Sequence, residues 1–303
     1  MRRFMMVLTI TSCSGRSSDS RDGANQTEGP YIIDAPPTEL PHVDPPTLAQ
    51  GIEAALDAVF TFDLSPIAAG YDAVLADTEE GCPNWAVSDG TPYWTASCVT
   101  SDGASFDGYG ASLDYADVDN GDGMTYAGLL ISSVSTVTTT SGDVFTGGGV
   151  AYSMTGTNTA GHQVAGFGTT DGFLWTGPEA EDTWMTAPGS LEFEFMQVQT
   201  EAYRAATLDG MVSGPGKVQA VVFQDLLAVD HAGRPDGCAW EPSGEIAVLD
   251  EDGNWYDLTF DGIDDEGSLD PEVGCDGCAT AWFEGYPLDR VCFRPDVLFD
   301  WSL

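Results

Sequence analysis

The feature that most constrains this chain is its punctuation. From Cys82 onward, Asp-Gly pairs recur at Asp89-Gly90, Asp102-Gly103, Asp107-Gly108, Asp122-Gly123, Asp171-Gly172, Asp252-Gly253 and Asp261-Gly262. Between them lie alternating or β-branched runs, among them Ala111–Val118, Met124–Thr139, Val144–Met154, Gln163–Trp175, Leu191–Val198 and Lys217–Val229. Later runs are Glu245–Leu249, Trp255–Phe260, Ala279–Phe283 and Val291–Phe299. Asp-Gly accepts the positive φ of a tight hairpin turn, so such pairs between alternating runs read as hairpins. The chain therefore predicts a mainly β fold: an antiparallel sandwich, barrel or rolled meander. Leu191–Phe195 alternates cleanly, with Leu191, Phe193 and Phe195 on one face and Glu192 and Glu194 on the other. Val218–Val229 is apolar on both faces and predicts an internal strand. Residues 103–176 are rich in Gly, Ser and Thr, which predicts strands wet on one face.

Two short helices are expected ahead of the strands, within 47–80 and packed on the body. Thr47 can cap the first, where Leu48, Ile52, Leu56 and Val59 or Phe60 recur at helical spacing. Ser65-Pro66 signals the start of the second, with Ile67, Tyr71, Val74 and Leu75 on its buried face. Residues 13–46 predict a linker. Ser14 to Glu28 is rich in Ser, Asp and Gly, and Pro30, Pro36, Pro37, Pro41, Pro45 and Pro46 follow. The expected organisation is a signal segment at 1–12, the linker at 13–46, the helices at 47–80, a main antiparallel β domain at 81–235 and a Cys-rich β subdomain at 236–303.

The N-terminus has an address. Met1-Arg2-Arg3-Phe4 carries two positive charges, and a short apolar stretch runs to Ile10-Thr11-Ser12-Cys13. This resembles the lipobox of bacterial lipoproteins. The resemblance implies cleavage before Cys13, a lipid thioether on its sulfur and an acylated new N-terminus. It implies a protein anchored to a membrane of the cell envelope, outside the cytoplasm. The chain is also similar in character to acidic envelope lipoproteins of environmental bacteria, a likeness that supplies no activity.

Cysteine arithmetic agrees. The chain has seven cysteines. Assigning Cys13 to lipid leaves Cys82, Cys98, Cys238, Cys275, Cys278 and Cys292, an even set suited to disulfides in an oxidising compartment. Cys82 and Cys98 flank Trp85, Tyr93 and Trp94 and predict a local bridge. A hairpin centred near Gly285 would set Cys278 against Cys292 and leave Cys238 for Cys275, stapling the C-terminal region. A tetrathiolate zinc site and a thioredoxin-like redox pair at Cys275-Asp-Gly-Cys278 stand as alternatives. Zinc sites usually show two closely spaced cysteine pairs, and redox pairs want a helix N-terminus.

Charge excludes whole classes of function. Lys and Arg number 9 against 49 Asp and Glu, a formal net charge of −40. Lys217 is the only lysine. A general surface that grips nucleic acid or anionic lipid needs clustered cations. Such acidity suits high salt, or weak multivalent cation binding. No apolar run reaches the ~18 residues of a membrane-spanning helix.

Several constellations could carry chemistry. Asp114, Asp117, Asp119 and Asp122 form an oxygen-rich stretch, the best calcium candidate, although Gly121 and Gly128 stand where an EF-hand order needs ligands. Glu192 and Glu194 share one strand face, and retaining glycosidases use paired carboxyls. Trp85, Trp94, Trp175, Trp184 and Trp255 could stack on sugar rings. The histidines are His42, His162 and His231. There is no Gly-x-Ser-x-Gly elbow and no His-Glu-x-x-His helix. Gly214-Pro-Gly-Lys217 resembles the end of a phosphate loop, but Met211 and Val218 break its pattern. Gly166-Phe-Gly168 and Gly147–Gly149 predict turns, bulges or close sheet approaches.

The expected function is a non-catalytic cell-envelope lipoprotein acting as a surface binding or scaffold module. Its partner is a glycan or an envelope protein, not nucleic acid, and no cofactor is called for unless calcium binds. One rival is a secreted glycan-directed hydrolase using Glu192 and Glu194. Another is a calcium-stabilised adhesion module using Asp117, Asp119 and Asp122.

Overall fold

A computed structural model describes residues 40–41, 44–88, 91–119, 125–158, 160–170, 172–178, 184–186, 191–201, 203–231, 242–260 and 277–299. Helix α1 spans Pro45–Phe60 and α2 spans Ser65–Ala76. The first begins two residues ahead of Thr47. Pro45 and Pro46 sit in the first turn, where a missing N–H is no loss, and Asp44 O accepts from Thr47 N at 2.9 Å and Leu48 N at 3.2 Å. Thr47 instead donates its hydroxyl to the Asp44 carboxylate. At α2 the Asp63 carboxylate accepts the Ser65 N–H at 2.9 Å. The expected stripes are the buried ones: Leu48, Ile52, Leu56 and Val59 on α1, Ile67, Tyr71 and Val74 on α2, with Leu75 partly buried.

The strands are β1 (Asn84–Ser88), β2 (Thr91–Val99), β3 (Ser105–Asp119), β4 (Thr125–Thr138), β5 (Val144–Gly147), β6 (Val150–Thr157), β7 (Gln163–Thr169) and β8 (Phe173–Thr176). They continue as β9 (Trp184–Thr186), β10 (Leu191–Gln199), β11 (Tyr203–Ser213), β12 (Ala220–His231), β13 (Ser243–Leu249), β14 (Trp255–Thr259), β15 (Cys278–Phe283) and β16 (Tyr286–Cys292). A 3-10 turn follows at Pro295–Phe299. All belong to one antiparallel sheet, in the order β1-β2-β3-β4-β6-β7-β10-β11-β12-β13-β14-β15-β16, with β5, β8 and β9 branching from β4. Ala220–Gln224 pairs with Glu245–Leu249, so the sheet is continuous from β12 into β13.

Both helices lie on the same face. Helix α1 touches β10, β12, β13 and β16, so the C-terminal strands roll around it. Its stripe meets Phe193, Phe195, Val221, Phe223, Ile246, Val248, Leu258 and Val291. Helix α2 covers a second core of Trp94, Phe106, Ile131, Val137, Phe145 and Ala151. The fold is a rolled meander filled by two helices.

Local details refine the expected pattern. Asp102-Gly103 and Asp252-Gly253 do turn hairpins. Asp107-Gly108 does not: it lies inside β3. Gly108 holds φ 99° there, and a Cβ would strike the Val134 carbonyl. The run Val144–Met154 divides into β5 and β6. Val218 lies in the turn before β12, which is an internal strand between β11 and β13. A bulge in β12 changes which side chains face α1: Val221 and Phe223 are buried before it, Leu226 and Ala228 after it.

Two disulfides join described residues. Cys82–Cys98 closes the segment around β1 and β2, and Cys278–Cys292 joins directly opposed residues of β15 and β16. Each staples a hairpin at one end of the sheet order. Glu284-Gly285 makes the turn of the second, as the expected centre near Gly285 required. Cys13, Cys238 and Cys275 lie outside the described residues, as does the Cys238–Cys275 pairing.

Candidate functional site

Strands β3, β4, β6 and β7 place one row of residues on the helix-covered face: Asp114 opposite Leu129, Leu129 opposite Ser153, and Ser153 opposite Phe167. The link from α1 to α2 passes above this row. Between them is an open cleft of about 700 Å³, roofed by Phe62, Asp63, Leu64 and Ser65 and by Ala68, Ala69 and Asp72 of α2. Phe62 is half-buried and stacks on Phe167, with ring centroids 6.4 Å apart and planes 9° from parallel. The apolar floor thus continues the main core, whereas Asp63, Asp72 and Asp114 are exposed at the rim. Hydrogen bonds from Ser65 hold the Asp63 carboxyl below its ordinary range, so it carries its charge firmly. The lining includes no Lys, Arg or His.

The opposite face of the same strands carries a second set of acids. Gly168 lies between Tyr152 on β6 and Glu194 on β10, and Glu194 lies opposite Asp209 on β11. Gly168 keeps this face low. A Cβ there would lie 2.6 Å from Phe193 O and 3.0 Å from the Tyr152 ring. The Tyr152 hydroxyl reaches across to hydrogen-bond Glu194. Burial pushes Glu194 up from the ordinary carboxylate range, and the charge of Asp209 adds to this, against the Tyr152 bond. Burial also raises Asp209, although it accepts the Asp225 N–H at 2.7 Å. That bond explains the β12 bulge. Asp225 stands at φ 49°, and the Asp209 carboxylate takes the N–H that the broken ladder leaves over.

The sequence-predicted residues divide between these places. Glu194 belongs to the carboxyl row. Glu192 shares its face but stands opposite Met211, so β11 gives it no acidic partner in register. Asp114 lines the cleft. Asp117 and Asp119 lie near the end of β3, Asp117 within an irregularity between Tyr115 and Val118 and Asp119 after it, and Asp122 lies outside the described residues. Among the described residues no group of three or more His, Cys, Asp or Glu could hold a metal ion. Trp94 is buried, its Nε1 donating to the Tyr71 hydroxyl at 3.3 Å, and Trp175 packs on Phe145. Trp85 and Trp255 are each 41 % exposed, on strands distant in the sheet order. Gly166-Phe-Gly168 is a close approach within β7, where Met196 lies over Gly166 as Tyr152 lies over Gly168.

Sequence reasoning missed Asp63, Asp72, Tyr152, Asp209 and Asp225. Asp63 had a local signal, an acid two residues ahead of a Ser-Pro helix start. Asp209-Gly210 is an Asp-Gly pair inside a long apolar stretch. The others come together only through strand register.

No family model matches the chain, and no curated protein or solved structure matches it.

Proposed function

We propose that the chain is a non-catalytic binding module of the bacterial cell envelope, tethered by lipid on Cys13. Its body binds through the cleft between α2 and the sheet. The observation that carries this reading is the pair of disulfides at the two ends of the sheet, because such bonds form and persist outside the reducing cytoplasm. The lipobox resemblance at Cys13 supports the tether. The cleft supports binding, since it is a concave surface lined by both apolar and polar side chains. An intact mass of the native protein, with thiols alkylated before and after reduction, tests the reading. The expected result is a chain beginning at Cys13 with acyl groups, its remaining cysteines alkylated only after reduction. An unprocessed N-terminus with freely alkylated thiols contradicts it.

A glycan-directed hydrolase is the second reading, and one observation favours it. Glu194 and Asp209 are opposed carboxyls, both raised by burial, as an acid partner in glycoside cleavage would be. This pair replaces Glu192 with Asp209. Glycan turnover lost in both Glu194→Gln and Asp209→Asn would establish it. Turnover unchanged in both would remove it.

A further inference from the structure

We propose that the chain pairs with a second copy of itself through β1, edge to edge, in a closed antiparallel pair centred on Ala86. The inference concerns assembly. It goes beyond the reading of the protein as a binding module and depends neither on the cleft nor on lipid at Cys13.

Among the described residues β1 has one neighbour, β2, so its other side is open. Natural edge strands are blunted by charge, by proline or by a covering element. The opposite edge, β16, carries Pro287, Asp289 and Arg290 and has α1 packed against it. Strand β1 has no such residue. Asn84–Ser88 is uncharged and free of proline, on a chain of net charge −40. Its Trp85 is 41 % exposed and its Val87 70 % exposed. The Cys82–Cys98 bridge ties the approach to β1 onto β2, so the open edge is anchored.

Backbone geometry selects the partner. In an antiparallel ladder, opposed residues alternate between exchanging two hydrogen bonds and exchanging none. Val87 stands opposite Pro92, which has no N–H, so Val87 belongs to the second class, as does Trp85 two residues away. Their N–H and C=O groups therefore point outward from the sheet edge. A second copy laid antiparallel about Ala86 sets Trp85 opposite the partner's Val87, and Val87 opposite the partner's Trp85. That register joins every outward N–H of Trp85 and Val87 to an outward carbonyl. It also lays each indole beside a valine, on the face that carries Trp94. A second copy is thus the partner whose own strand repeats the open groups and the apolar pair in matching order. The contact is isologous, and it closes at two because β16 is blunted. Repulsion between two acidic chains is screened beyond about 8 Å at physiological salt, and the contacting strands add no charge. Strands this short bury less than a standard interface, so the pair is a weak one. The proposed tether would hold copies on one surface and raise their effective concentration.

Sedimentation equilibrium on the full chain over a range of concentrations tests the proposal. The expected result is a reversible step from one chain to two, with no larger species. Pairing should tighten from about 0.15 M to about 1 M sodium chloride, as screening relieves repulsion between the acidic chains. Val87→Pro removes one outward N–H and leaves the bonds to β2, and Val87→Lys puts a charge on the edge. Each is expected to weaken pairing roughly tenfold or more. Val134→Lys makes the same change at a comparably exposed valine of the internal strand β4, and should leave pairing intact. Circular dichroism would show the variants folded; should Val87→Pro unfold, Val87→Lys carries the test. A chain that stays single at every concentration, an open series of larger species, or pairing lost at high salt overturns the proposal. So does pairing that survives the Val87 variants, or equal loss in Val134→Lys. A pair that persists on a non-reducing denaturing gel also overturns it, because cysteine then joins the copies. The mass of the native protein reads the tether separately. A lipidated protein that stays single sinks this inference alone, and an unlipidated chain that pairs sinks the tether alone.

Discussion

The two faces of the sheet use the same residue types to opposite ends. On the helix side, Asp63, Asp72 and Asp114 stand in solvent around the cleft, and Ser65 stabilises the charged form of Asp63. On the reverse side, Glu194 is partly buried opposite the more exposed Asp209, and desolvation favours the neutral forms of both. Acidity alone therefore says little about function. What decides the role of a carboxylate here is whether the sheet sets it over water or over its neighbours.

Three variants would break or sharpen this contrast. The largest effect is expected from Gly168→Val. Its Cβ meets a backbone oxygen and the Tyr152 ring, so the reverse face must part. Overpacking of this kind costs about 1–3 kcal/mol, readable as a lower urea midpoint with unchanged slope. A variant as stable as the parent would show that the tyrosine does not lie over that glycine.

Asp63→Ala comes next. Loss of a helix-capping side chain costs about 1 kcal/mol. The folded-state pKa of Asp63 is depressed, so its contribution is present above the unfolded value near 3.8 and is lost as pH falls through the folded value. The stability gap from the parent should therefore be full at neutral pH and shrink in acid. A gap that grows in acid would contradict the assignment.

Glu194→Gln should show the smallest effect with the opposite sign. Its folded pKa is raised, so the folded state is favoured while Glu194 is protonated. That advantage is lost as pH rises from the unfolded value through the folded one. The variant should be more stable than the parent at neutral pH, by less than about 1 kcal/mol because solvent screens a half-buried carboxyl. The difference should vanish below the ordinary carboxylate range. Thermal unfolding across pH reads it, and a destabilised variant at neutral pH would show that the ionised Glu194 holds the face together.

Much of the fold was legible because its signals are local. Alternation in Leu191–Phe195 gives the buried Phe193 and Phe195 directly, and the helical stripes of α1 and α2 match their cores. The Cys278–Cys292 bridge follows from one turn at Gly285, since register in a short hairpin is set by its turn. Asp107-Gly108 misled because a positive-φ glycine serves a bent strand as readily as a hairpin. The site was less legible. Asp114 and Asp63 line one cleft only because the link and α2 fold back over the sheet beside β4, and no local pattern encodes that approach. Asp209 and Asp225 are joined through a bulge that shifts the register of β12, so a strict period of two cannot align them.

The most direct test of the division between the faces is a carbon-13 titration of assigned side-chain carboxyls. The account predicts that Asp63 titrates below the ordinary aspartate range, and Glu194 and Asp209 above theirs. Glu194 and Asp209 titrating at or below the ordinary carboxylate range, or Asp63 above it, would contradict it.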